Sequence, residues 1–220
     1  MKTILITGGS AGIGLGLKRA LTNKGHTVIS WSRREGVDIR RVGACQRAAI
    51  ALPLLDGVIH CAGVWSHARA DVQDSYALGL ALDVNCIGAQ RVQEAVWKHE
   101  KLRRHGVVAV ILSTDIKIQT SSEPTVKMLP NQLAYNVSKL ALYGLFRSWI
   151  ADSMASWRFL DFYPGLTATG IWDPELGPAA FTLEETVAPI AEEIDRCIST
   201  QSSIVTTRSR ARVSPSQASR

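Results

Sequence analysis

Residues 3–14, Thr3-Ile4-Leu5-Ile6-Thr7-Gly8-Gly9-Ser10-Ala11-Gly12-Ile13-Gly14, run from an apolar stretch straight into a glycine-rich turn and then into helical periodicity. Thr3–Thr7 reads as a buried strand. A helix follows from Gly12 to about Thr22, with Ile13, Leu17, Ala20 and Leu21 on its apolar side. Gly8 permits the tight turn between them, while Gly12 and Gly14 let backbone approach a pyrophosphate and let the helix pack close to a sheet. Unpaired N–H groups at a helix start, with the positive end of its dipole, suit phosphate oxygens. An ordinary glycine-rich βα turn is the alternative; a P-loop does not fit, because no Lys-Ser/Thr pair follows.

The same alternation continues outward. His26–Trp31 is a β-rich run, Val37-Asp38-Ile39 a very short third strand, and residues 41–52 a helix. Gly57–Gly63 is a strand opening into a loop, 75–104 a long helix, and Val107–Leu112 the strongest strand signal. Residues 116–132 form a polar, proline-containing excursion. Helix returns from Leu133 to about Ala155, Arg158–Tyr163 is a strand, Thr182–Ile198 a helix, and 203–207 a candidate last strand. Apolar strands alternating with helices predict an α/β domain, a doubly wound parallel sheet of about six to seven strands flanked by helices.

Composition sets the outer bounds. A chain of 220 residues with 46% hydrophobic and 20% charged residues is globular and fits one domain, residues 1–207, with a basic flexible tail at 208–220. Four of the six surplus positive charges, on Arg208, Arg210, Arg212 and Arg220, lie in that tail. The body has no dense basic stripe, so nucleic acid is not the expected partner. The apolar run at Met1–Thr7 is too short for a signal peptide, and no stretch reaches the length of a membrane span. Cys45, Cys61, Cys86 and Cys197 are spread without CxxC or Cys/His clustering, which argues against zinc and against a disulfide scaffold, and points to the cytoplasm.

Further along, Tyr135-Asn136-Val137-Ser138-Lys139 sets a phenol and an ammonium at i and i+4, on one helix face. A cation one turn away lowers the cost of a phenolate, so proton exchange with a carbonyl or alcohol oxygen becomes practicable; taken alone, the pair also reads as an ordinary surface helix pair. Ser113, just past the strand 107–112, can hydrogen-bond a reacting oxygen. Ser32-Arg33-Arg34 ends the second strand; an arginine there matches a ribose 2′-phosphate, whereas a carboxylate would match free ribose hydroxyls. NADP(H) is therefore preferred, with Glu35 keeping NAD(H) open.

Taken together these stretches resemble the short-chain dehydrogenase/reductase family over about residues 3–207, and imply its Rossmann-type fold. Thr7–Gly14 matches TGxxxGxG. Cys61-Ala62-Gly63 matches the NAG loop, with His60-Cys61 where the family has Asn-Asn. The resemblance implies that Gly8, Ser10, Gly12, Ile13 and Gly14 hold the pyrophosphate, that Ser32, Arg33 and Arg34 meet the adenosine ribose, and that Asp38 and Cys61–Gly63 meet the adenine side. It implies a catalytic set of Asn85, Ser113, Tyr135 and Lys139, in which Asn85 holds a water linking Lys139 to solvent; Asn85, Tyr135 and Lys139 also reach the cofactor. Pro164, Gly165, Thr167 and Thr169, in a PGxxxT stretch, would lie against the nicotinamide and pyrophosphate.

Two departures stand out. Only about five residues separate Trp31 from Val37, too few for a helical crossover. Ser113 and Tyr135 are separated by 21 residues, against about a dozen in the family, so 115–133 holds an insertion beside the site. The expected function is interconversion of a carbonyl and a secondary alcohol by hydride transfer; a non-catalytic NADP-binding subunit and an epimerase or dehydratase of the same fold are the alternatives. Trp65 and Trp172 suggest an apolar or ring-bearing substrate. A homodimer or homotetramer is expected from the apolar residues Val137, Leu140, Leu142, Leu145, Phe146 and Trp149.

Overall fold

A computed structural model describes residues 1–66, 71, 74–114, 117–118, 126–127, 131–153, 156–169 and 181–200. The strands are β1 (Thr3–Thr7), β2 (Thr27–Trp31), β3 (Leu55–His60), β4 (Leu102–Ile111), the two-residue β5 (Lys117–Ile118) and β6 (Val126–Lys127), and β7 (Arg158–Phe162). β5 and β6 pair antiparallel with each other; the other five form one parallel sheet in the order β2-β1-β3-β4-β7. The helices are α1 (Gly12–Asn23), α2 (Val42–Ile50), α3 (Ser75–Leu82), α4 (Gly88–Lys98), α5 (Leu133–Asp152) and α6 (Leu183–Ser199).

Strand alternation divides the core in two. Leu5, Val58, Val108 and Val110 face one side, where Cys45 and Ala49 of α2, Val92 and Val96 of α4, and Leu142 and Phe146 of α5 cover them. Ile4, Ile6, Ile59, Ala109 and Ile111 face the other, under Leu17 and Leu21 of α1 and Ile190 and Ile194 of α6. Apolar residues on both faces of every strand follow from a sheet sandwiched between helix layers.

Three expectations need correction. Val37–Ile39 is not a strand: Ser32 caps a single 3₁₀ turn at Arg33–Glu35, Gly36 takes φ +88°, and the chain turns directly toward α2. After β2 the chain passes through α2 and crosses to β3 on the far side of β1, so no strand forms outside β2; β2 is the edge strand and the main sheet has five strands among the described residues rather than six or seven. The helix expected over 75–104 is broken by a π-helical turn at Asp83–Ile87 and stops at Lys98. Glu100 then adopts φ +51° and Leu102 pairs with Leu55, so 102–104 belong to β4. The expected strand at 203–207 and the tail at 208–220 lie outside the described residues.

Candidate active site

The strand order reverses between β1 and β3, and a cleft of about 770 Å³ opens there across the carboxyl ends of β1, β3, β4 and β7. Ligands of open α/β sheets bind at such a reversal because the flanking connections leave in opposite directions.

Along one wall the cleft is built from backbone. Gly8 has φ +74°, and a Cβ on it would lie 2.7 Å from Cα of Ala62; a Cβ on Gly14 would lie 2.3 Å from the Gly8 carbonyl oxygen. Both positions therefore exclude any side chain. α1 begins at Gly12 with no side-chain cap at Ala11 and no acidic residue in its first turn, so its leading N–H groups face the cleft available for an anion. Ser10 and Ile13 line the same wall, and Thr169 stands opposite, its Cβ 3.6 Å from where a Cβ of Gly12 would be. This cradle fits the pyrophosphate of a dinucleotide.

Beyond it, Ser32, Arg33, Arg34 and Asp38 line the cleft. Glu35 does not. Its carboxylate accepts from Ser30 Oγ (2.6 Å), Ser32 Oγ (2.7 Å) and Lys18 Nζ (2.9 Å). Burial pushes its pKa up, but these bonds prevail and hold it below its ordinary value. Asp38 is gripped at both oxygens by Arg40, Nε to Oδ1 at 3.0 Å and Nη2 to Oδ2 at 2.7 Å, and these bonds bring its carboxyl down to about 2.

The loop after β3 supplies Cys61, Ala62 and Gly63. Thr7 Oγ1 accepts the N–H groups of both Cys61 and Ala62 at 3.1 Å, which holds the turn without an asparagine there. Burial pushes the Cys61 thiol up to about 12, so it is protonated and not a nucleophile at neutral pH. His60 points away from the cleft into the core, where its Nε2 meets Gln93 Oε1 at 2.9 Å and its ring lies 5.2 Å from that of Trp149.

Ser113, Tyr135 and Lys139 line the same cleft. Lys139 is buried; its Nζ donates to the carbonyl of Ile111, the last residue of β4, at 2.8 Å and stands 5.6 Å from the centre of the Tyr135 ring. Burial lowers its pKa to about 8. Asn85 sits in the π-helical turn and does not line the cleft. Its Oδ1 accepts from Val64 N (2.7 Å), and its Nδ2 donates to Val64 O (2.9 Å) and Ser138 Oγ (2.8 Å), so both amide protons are committed to the fold. A π turn of this kind rotates one side chain out of the α-helical register.

Pro164, Gly165, Thr167 and Thr169 border the cleft, backed by Phe181 through Phe181 N to Leu166 O at 3.0 Å and Ala168 N to Phe181 O at 2.9 Å. The Thr167 hydroxyl turns inward, to Gly165 O at 2.9 Å and Thr186 Oγ1 at 2.8 Å. Trp65 also lines the cleft and donates its Nε1 to Gln132 Oε1 at 3.1 Å. Ile171, Trp172 and Asp173 lie outside the described residues. Thr7, Arg40, Ser138 and Gln132 also build the site, beyond the residues expected from sequence. Thr7 and Ser138 stand inside motifs already quoted, whereas Arg40 and Gln132 carry no local signal.

The profile of a family described as "NAD dependent epimerase/dehydratase family" matches residues 4–161. No curated protein matches the sequence. Among solved structures, a short-chain dehydrogenase/reductase family protein superposes with a TM-score of 0.75 at 24% identity, over 90% of this chain and 92% of the other. A small-chain dehydrogenase in complex with NADPH gives 0.74 at 18%, over 92% of each chain. A short-chain dehydrogenase family protein from Francisella tularensis gives 0.72 at 21%, over 92% and 93%.

Proposed function

Since this chain belongs to the NAD dependent epimerase/dehydratase family and has the fold of the short-chain dehydrogenases/reductases, we propose that it interconverts a carbonyl and a secondary alcohol. The observation that carries this reading is that Ser113, Tyr135 and Lys139 line the same cleft as the α1 cradle, with Lys139 Nζ 5.6 Å from the centre of the Tyr135 ring. The cleft residues would hold a nicotinamide dinucleotide, which would supply hydride exchange when bound. Ser113 and Tyr135 then hold the substrate oxygen, and Tyr135 gives it a proton from its phenol in the reductive direction. Lys139, held by Ile111, keeps positive charge beside the phenol as that proton leaves. Donors fixed in place before the reaction matter because negative charge builds on that oxygen.

NADP(H) is the preferred cofactor in this reading. Arg33 and Arg34 line the adenosine end, while Glu35 is drawn off onto Lys18 and two serines. The wall formed by Trp65 favours an apolar or ring-bearing substrate. Assembly as a homodimer or homotetramer is supported by Leu133, which is exposed, and by Val137, Leu140 and Leu145, which are half-buried on α5; Leu142, Phe146 and Trp149 are already spent in the core. A strictly monomeric mass by light scattering would refute that assembly. A cytoplasmic setting is supported by four cysteines that are all free thiols. No helix among the described residues is long and apolar enough to cross a membrane.

The name of the matching family favours a second reading, an epimerase or dehydratase that uses the same cleft without net change of cofactor. Absorbance of NADPH with a panel of aldehydes, ketones and nucleotide sugars separates the cases. Net oxidation supports the reductase. Conversion of a sugar without net oxidation supports the epimerase or dehydratase, and tight cofactor binding without any turnover points to a regulatory subunit.

A further inference from the structure

At the amino ends of the strands, on the opposite edge of the sheet from the active-site cleft, lies a second cavity of about 320 Å³. Lys2 before β1, Asp56 of β3, Arg103, Arg104 and His105 of β4, and Arg158 at the start of β7 form its charged wall. Four permanent cations face one carboxylate, an excess of three positive charges in a space at the lower end of small-molecule sites.

That one carboxylate is already occupied. Asp56 accepts the Thr3 N–H at 2.8 Å and pairs with Lys2 Nζ at 3.4 Å and Arg103 Nε at 3.6 Å. Arg158 is held by hydrogen bonds but not neutralised in charge. Its Nε donates to the His105 carbonyl at 2.7 Å, and its Nη1 to the carbonyls of Thr200, at 2.6 Å, and Cys197 at the end of α6. Neutral carbonyls orient a guanidinium without cancelling its charge, and burial lowers its pKa. Arg104 makes no ion pair or side-chain hydrogen bond among the described residues. A fork of arginine donors at a concave, partly desolvated wall is the arrangement that recognises phosphate oxygens.

We propose that this cavity binds a compact oxyanion, inorganic phosphate or the phosphate end of a small metabolite, at a site separate from the active-site cleft.

The test is calorimetric titration of the full chain with inorganic phosphate, at an ionic strength held constant with chloride. The expected result is one saturable event that survives in Arg33→Ala/Arg34→Ala and weakens at least tenfold in Arg103→Gln/Arg104→Gln. Both arginines are exposed, so that variant keeps the fold, which thermal unfolding verifies. Absence of saturable binding at millimolar phosphate would overturn the proposal. So would loss of the event in Arg33→Ala/Arg34→Ala, which would assign it to the adenosine end of the cleft, or indifference to Arg103→Gln/Arg104→Gln. Glycerol phosphate in place of phosphate distinguishes the two sources: tighter binding assigns a monoester, and equal or weaker binding the free ion.

Discussion

The side-chain amide of Asn85 donates to Ser138 Oγ at 2.8 Å across 53 residues of chain, and Ser138 Oγ in turn donates to the Tyr135 carbonyl at 2.8 Å. The π-helical turn between α3 and α4 is thereby tied to the helix that carries Tyr135 and Lys139, while Asn85 also clamps the Val64 peptide from both sides. Asn85 thus ties together three segments of the site, the π-helical turn, the Val64 loop and α5.

Ser138→Ala removes that junction and leaves a buried amide N–H without its acceptor. Stability should fall by about 1–3 kcal/mol, read as a lower urea midpoint with an unchanged slope. An unmoved midpoint would show that the junction contributes nothing to the fold.

Tyr135→Phe takes away only the phenolic oxygen, leaving the ring and the α1 cradle as they are. NADPH binding should persist while turnover on a substrate found by screening falls by about 10²-fold or more. Full turnover in this variant would remove Tyr135 from the mechanism.

Arg33→Ala should weaken NADPH binding by about 1.5–3 kcal/mol and leave NADH nearly untouched, as measured by fluorescence titration of both cofactors. Equal losses would mean that Arg33 does not read the 2′-phosphate, and Arg34 would then be the residue to change.

His60 makes stability depend on pH in a definite window. Burial pushes its imidazole down to about 4 from an ordinary value of 6.5. Between those values the unfolded chain binds a proton that the folded chain refuses, so stability is intact above pH 6.5 and drains away as pH falls toward 4. The loss should come to about 3 kcal/mol. Thermal unfolding of wild type and His60→Asn across this range should show the wild-type curve falling more steeply. Parallel curves would place the acid sensitivity elsewhere.

Periodicity and turn chemistry are local, and they sufficed for much of this protein. The apolar run Thr3–Thr7 with its glycine turn, the strand before Ser113, the pairing of Tyr135 with Lys139 on one helix face, and the arginines closing β2 were all readable along the chain. Each depends on backbone preferences and side-chain period within a few residues. Folding alone decided the rest. That β2 is the edge strand was decided by where the connection through α2 delivers the next strand, beside β1 rather than outside β2. That Asn85 faces the core rather than the cleft depended on a π turn, which carries no period of its own. Thr7 reaches Cys61 and Ala62, and Lys139 reaches the Ile111 carbonyl, over 54, 55 and 28 residues of chain. Buried donors and acceptors must find partners, but which partner each finds is set by how the elements pack against one another, and no local pattern encodes that.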